Sequence, residues 1–167
     1  MMEKKFNIIG CRGKIDSVEE FIKKARDFVS NNDLLLQFLD ADKIIGKEHI
    51  LLAIEHAIRA FERKDNISET LAMEILIYAA GEPQINNALA AIGLKDGCEK
   101  VAVIADSSMD IGSLLAHLNL SRDDEVLTFN KSKLREFGIT DTEISTVDES
   151  KIKDLVLERV AMVDVKK

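Results

Sequence analysis

The sequence predicts an α+β fold: a compact single domain over residues 1–167, with a small mixed or antiparallel sheet packed against a helical layer. Three observations predict it. Short aliphatic runs of strand character stand at Phe6–Ile15, Leu34–Ile45 and Val101–Ala105. Segments with apolar residues at three-and-four spacing cluster between Lys47 and Ile92 instead of alternating with the strands. One Pro and eight Gly argue against long linkers.

Each element has its own signal. Phe6–Ile15 is a strand carrying Ile8, Ile9 and Ile15, with Gly10 and Gly13 at points of close approach. Asp16-Ser17 opens a helix. Ser17 and Glu20 have capping-box spacing, and Val18, Phe21, Ile22, Ala25, Phe28 and Val29 form the apolar face. Asn31-Asn32-Asp33 ends it. Leu34–Ile45 is a buried strand followed by a turn. Lys47–Lys64 is a long helix whose stripe runs through Ile50, Ala53, Ile54, Ala57, Ile58 and Phe61. Asn66 or Ser68 caps the next helix, Glu69–Ala80. That helix is apolar nearly all round, so it is either central in the core or covered by a partner.

Gln84–Ile92 is amphipathic, with Ile85, Ala88, Leu89 and Ile92 inward. Val101–Ala105 is a strand and Ile111–Leu118 a short helix. Further on, Val126–Phe129 reads as a strand, Lys131–Phe137 as a helical piece and Asp141–Glu149 as a loop. Thr146 and Glu149 cap a last helix on which Ile152, Leu155, Val156 and Arg159 share a face. Val160–Val165 alternates as a strand does.

Composition narrows the function. No run reaches the length of a membrane span, and the N-terminus is too polar and short for a signal peptide, which places the chain in the cytoplasm, away from membranes. Cys11 and Cys98 lie far apart, each near a strand, as buried free thiols do. The net charge of −7 works against broad, non-specific nucleic-acid binding while leaving room for a local site.

Enzymatic chemistry finds little support. His49 and His56 are seven residues apart, about 10.5 Å along a helix axis, too far to share one metal. Asp40 and Asp42 have the spacing of a carboxylate pair at a strand end, and equally of residues that end the strand and cap Gly46–His49. Ser107, Ser108 and Ser113 have no nearby His–carboxylate arrangement, and no phosphate-cradling or kinase motif is present. The chain reads as a binding or regulatory protein, not an enzyme, with no cofactor and no metal.

The break at Gly81-Glu82-Pro83 is the most informative punctuation. Gly81 suits the left-handed position that ends a helix, and Pro83 suits the first turn of the next. The corner is either a plain helix–helix turn or a place where free N–H groups meet an anionic ligand, with Gln84 and Ile85 beside them. A single-stranded nucleic-acid end would use such groups.

The order of several segments is recognisable: Gln37-Phe38-Leu39-Asp40-Ala41-Asp42, Gly46-Lys47-Glu48-His49-Ile50 with Ala53, Met73–Gly81 followed by Gln84-Ile85, and Ile92–Gly97. In these the chain resembles the kinase-binding small subunit of the KEOPS complex, the PRPK-binding protein family. The resemblance implies a compact α+β fold without catalytic activity. It implies binding to the small lobe of the Bud-type atypical kinase/ATPase subunit, in a complex that adds threonylcarbamoyl to the adenosine beside the anticodon of tRNA.

It also implies a grip on the 3′ CCA end of the tRNA. By position, that grip falls on Lys47, His49, Gly81, Gln84 and Ile85. Relatives carry a basic residue just before Gln-Ile, where this chain has Pro83 after Glu82, a change that lowers the attraction for phosphate. The kinase contact is placed on Ile152, Leu155, Val156 and Met162 of the C-terminal segment. The alternative is a protein-interaction module that regulates the kinase without direct RNA binding.

Overall fold

The computed structural model describes residues 6–29 and 34–167; the helix end expected at Asn31-Asn32-Asp33 lies outside them. Four strands form one antiparallel sheet: β1 (Phe6–Arg12), β2 (Leu36–Asp40), β3 (Lys100–Asp106) and β4 (Ser121–Arg122), in the order β2-β3-β1-β4. Register is set by apolar pairs, Ile8 opposite Ile104 and Ile9 opposite Val103 on one side, Phe38 opposite Val103 on the other. Eight α-helices lie among the described residues: α1 (Val18–Phe28), α2 (Lys47–Arg63), α3 (Leu71–Ala80), α4 (Ile85–Ile92), α5 (Ile111–His117), α6 (Lys131–Glu136), α7 (Asp141–Ser145) and α8 (Asp154–Lys166).

The α+β expectation stands, with one enlargement: helices cover both faces of the sheet. Ile8, Leu39, Ala102 and Ile104 face the core built with α2 and α3, whereas Ile9, Phe38, Val101, Val103 and Ala105 face α1 and α5. Because successive side chains point to opposite faces, a strand buried on both sides reads as a continuous apolar run, as these do. The α3 helix is central. Ile75, Leu76, Ile77, Tyr78 and Ala79 are all buried, against α2, α4 and α8.

Gly10 and Gly13 are the close-approach points their spacing suggested. A Cβ on Gly10 would lie 2.7 Å from the Asp123 carbonyl oxygen. The Gly10 N–H donates to Asp124 Oδ1 at 2.9 Å. The cap of α1 is Ser17, whose hydroxyl accepts from Glu20 N–H. The cap of α3 is Thr70, not Asn66 or Ser68. Those two residues instead shape the loop before it, where Ser68 bonds to the buried carboxylate of Glu74.

The second half departs most from expectation. Asp124–Leu127 is a 3₁₀ turn, not a strand, because Val126 and Leu127 bury themselves against Gly10 and β1. Residues 141–145 form a helical turn closed by a Thr140/Glu143 capping box, where a loop was expected. Thr146 and Glu149 do not cap α8, which starts at Lys153 without a side-chain cap. Val160–Val165 is helix, not strand: Val156, Val160 and Val163 make a three-and-four stripe that packs inward.

A polar network fixes the end of α8. Asp164 accepts from Tyr78, Arg63 and Lys167 and pairs with His56, whose ring stacks on Tyr78. Burial alone would raise the Asp164 pKa, but the hydrogen bonds from Tyr78, His56 and Lys167 pull it down to about 2.

Candidate nucleic-acid interface

The corner is built by two helix ends. The α3 helix closes with Gly81 in the left-handed region at φ 69°. Glu82 N–H donates to Ile77 O and Gly81 N–H to Tyr78 O, the bond pair of a Schellman ending. The outer side of Gly81 is taken by α8: a Cβ there would sit 3.2 Å from both Cβ and O of Arg159. Arg159 is held by the Glu143 carboxylate at 2.8 Å. The expected left-handed glycine is therefore present, with a neighbour that the sequence did not reveal.

Helix α4 starts at Gln84. Pro83 stands before this cap, not in the first turn, so it straightens the link and does not open the helix. The Gln84 carbonyl accepts from Ala88 N–H, but its side chain does not cap. Its Oε1 instead takes Asn87 Nδ2 at 3.0 Å. The first-turn N–H groups of α4 thus lack a side-chain acceptor and face outward. Ile85 and Leu89 are exposed, 37% and 40%, and only Ala88 and Ile92 turn inward. The inward placement expected for Ile85 and Leu89 is corrected accordingly.

The start of α2 supplies the other candidate group. Gly46 is its cap, at φ 147°, and the Glu48 carboxylate folds over it. Lys47 is exposed and enters no ion pair among the described residues. Glu48 pairs with Lys153 at 3.2 Å. His49 is fully buried, so it does not reach a ligand directly. Its Nε2 bonds the Ala79 carbonyl at 2.8 Å and its Nδ1 bonds the Ile45 N–H at 3.3 Å. The neutral ring with a proton on Nε2 satisfies both. Burial drives the His49 pKa down to about 4 and keeps the ring neutral.

Three cations on or beside α2 are paired with carboxylates. Lys43 pairs with Asp40, Arg59 with Glu55, and Arg63 with Asp65 and Asp164. Asp40 and Asp42 do not form a carboxylate pair in a cleft. Asp40 caps the 3₁₀ turn Ala41–Lys43 by accepting from Asp42 N–H, not the helix at Gly46, and Asp42 lies 3.8 Å from Lys100. No group of three His, Cys, Asp or Glu is gathered for a metal among the described residues. Cys11 and Cys98 are free thiols, the first fully buried and the second partly so.

Of the partner residues expected on the last helix, Ile152 and Val156 lie in a small core with Ile45, Leu134 and Ile139. Leu155 is half-buried at its edge, while Met162 and Val165 are exposed at 38% and 72%. No described helix is long and apolar enough to cross a membrane. Sequence reading missed the burial of Glu74 and the contact of Arg159 with Gly81. A lone carboxylate inside the most apolar helix was the available signal for Glu74; Arg159 was placed on a face of the last helix, but nothing local marks its contact with the corner.

Comparison with known proteins gives the family. Residues 15–164 match the family described as kinase binding protein CGI-121. The chain is 32% identical over 148 residues to the regulatory protein Cgi121 of Methanocaldococcus jannaschii, covering 83% of this chain and 90% of that protein. A match over so much of both sequences leaves no doubt of kinship: the chain belongs to the CGI-121 family of kinase-binding proteins.

Proposed function

We propose that the protein is a non-catalytic, kinase-binding regulatory subunit of a KEOPS-type complex that also holds the 3′ CCA end of tRNA. Membership of a kinase-binding family supports a kinase partner; the Bud-type kinase/ATPase of a KEOPS-type complex is the partner proposed. One observation carries the RNA half: an exposed aliphatic side chain, Ile85, stands beside the exposed Gln84 side chain, whose NH2 group makes no bond among the described residues, and the uncapped start of α4. Backbone N–H groups there suit a phosphate, Gln84 suits a sugar or base edge, and Ile85 suits the face of an unstacked base. Lys47 adds a positive charge that positions without reading sequence. His49 takes no direct part. Glu82 opposes the phosphate and sets a modest affinity.

The kinase face is proposed on α8, through Leu155 and Met162. The buried Ile152 and Val156 shape that helix from beneath. A second reading, kinase regulation without RNA, is favoured by Leu89. Its side chain continues the α4 stripe into an apolar groove of about 560 Å³ between α1, β2, α3 and α4.

The two readings part in one binding assay. Ile85→Glu is expected to lower affinity for intact tRNA about tenfold, with an unchanged circular dichroism spectrum. Wild-type protein is expected to prefer intact tRNA over tRNA lacking CCA. Equal binding of the two RNAs, or an indifferent Ile85→Glu variant, would leave the kinase-only reading in place.

A further inference from the structure

The buried imidazole of His49 occupies an unusual position in the chain. It is the third residue of α2, where a capping-box Glu or Gln normally reaches back to a backbone N–H. Here the ring Nδ1 reaches back to the N–H of Ile45, one residue before the Gly46 cap. Its other nitrogen crosses to α3 and meets the carbonyl of Ala79, in the last turn before Gly81. The last carbonyls of a helix have no partner within the helix. One side chain therefore closes the start of α2 and the end of α3 together. Phe137 packs its edge against the ring, with centroids 5.5 Å apart, and closes the space around it.

These two helix ends carry Lys47 and the Gly81–Ile85 corner. Gly46 and Gly81 both have positive φ, and neither helix has a side-chain cap at this end other than His49. The neighbour that bounds Gly81 itself is Arg159. We infer that His49 is a positioning residue: through Ile45 N–H and Ala79 O it fixes the α2 start against the α3–α4 corner, so that both face one ligand. This rests on the RNA reading for its ligand, but the positioning itself is a property of the free protein.

The test uses His49→Phe, which keeps an aromatic ring and loses both hydrogen bonds, and His49→Gln, whose amide offers an accepting oxygen and a donating NH2 group. Amide hydrogen exchange of the free full-length chain is read at Ile45, Gly81 and Glu82, with Val103 in the central β3 strand as the reference. Phe is expected to speed exchange at the three corner amides about tenfold over any change at Val103, in line with one lost buried hydrogen bond. Gln is expected to restore at least part of the protection. Equal acceleration at Val103 would mean a uniform loss of stability, and unchanged corner amides would mean that the ring positions nothing; either overturns the inference. Affinity for intact tRNA is measured in parallel. If wild type shows no preference for the CCA end, the RNA reading fails while the exchange result still decides the role of His49.

Discussion

The two ends of α3 are built on opposite plans. At its start, the Glu74 carboxylate is fully buried and accepts from Ile67 N–H, Ser68 N–H and the Ser68 hydroxyl, while Thr70 caps Met73 N–H. The Glu74 carboxylate and Ser68 at that joint are buried and bonded to each other. At its finish, the chain closes the helix and then opens another whose first N–H groups have no side-chain acceptor, next to exposed Ile85 and Gln84. One joint consumes its hydrogen-bonding capacity and the other leaves it available. Substitutions at the first should therefore cost stability, and substitutions at the second should cost binding.

The sharpest break in that contrast is Glu74→Leu. It strands two backbone N–H groups and a hydroxyl, and is expected to lower unfolding free energy by about 4 kcal/mol in urea titration. A loss near zero would show that the sealed joint is not sealed by the carboxylate. Next is acid. The His49 pKa is depressed from 6.5 to about 4 in the folded chain. The unfolded chain takes up this proton first, so the His49 contribution is complete above pH 6.5 and falls as pH drops toward 4. It is flat below that. Wild type should lose about 3 kcal/mol more across this window than His49→Gln does.

Gly81→Ala follows, at about 1–2 kcal/mol, because the new Cβ must adopt a left-handed conformation against Arg159. The smallest effect on the fold belongs to Pro83→Lys, which lies outside α4. It should leave the melting temperature nearly unchanged and steepen the salt dependence of tRNA binding by about one unit. A flat salt response would separate the corner from any phosphate.

Much of the open joint was legible because its signals are local. Gly81 needs φ above zero, and its position after an apolar helix advertises that. Pro83 was legible as punctuation but not as a residue before the cap, since one residue separates the two placements. The inward turn assigned to Ile85 and Leu89 failed for a different reason: an eight-residue helix fits more than one apolar stripe, and α3 selects Ala88 and Ile92. The sealed joint was less visible. Thr70, Ser68 and Asn66 all have the chemistry of a cap, and Glu74 decides among them from across the loop. Residues 160–165 misled because the alternation at Val163-Asp164-Val165 satisfies a strand over so short a run, while Val160 and Val163 keep helical spacing, and packing against α2 and α3 chooses the helix. The burial of His49 was likewise beyond local pattern, as its partner lies thirty residues on.

The place of β1 in the sheet has a consequence for how the chain is made. Residues 6–12 pair with residues 100–106 on one side and with residues 121–122 on the other. Both neighbours of the first strand are translated late. The segment at residues 6–12 therefore leaves the ribosome without a partner and waits until residues 100–106 have been made. High sequence separation of this kind slows folding and prolongs exposure of an aliphatic segment, Ile8-Ile9, to aggregation. The helices between Lys47 and Ile92, whose contacts with one another are local, have the opportunity to assemble first and present the surface on which the sheet then closes.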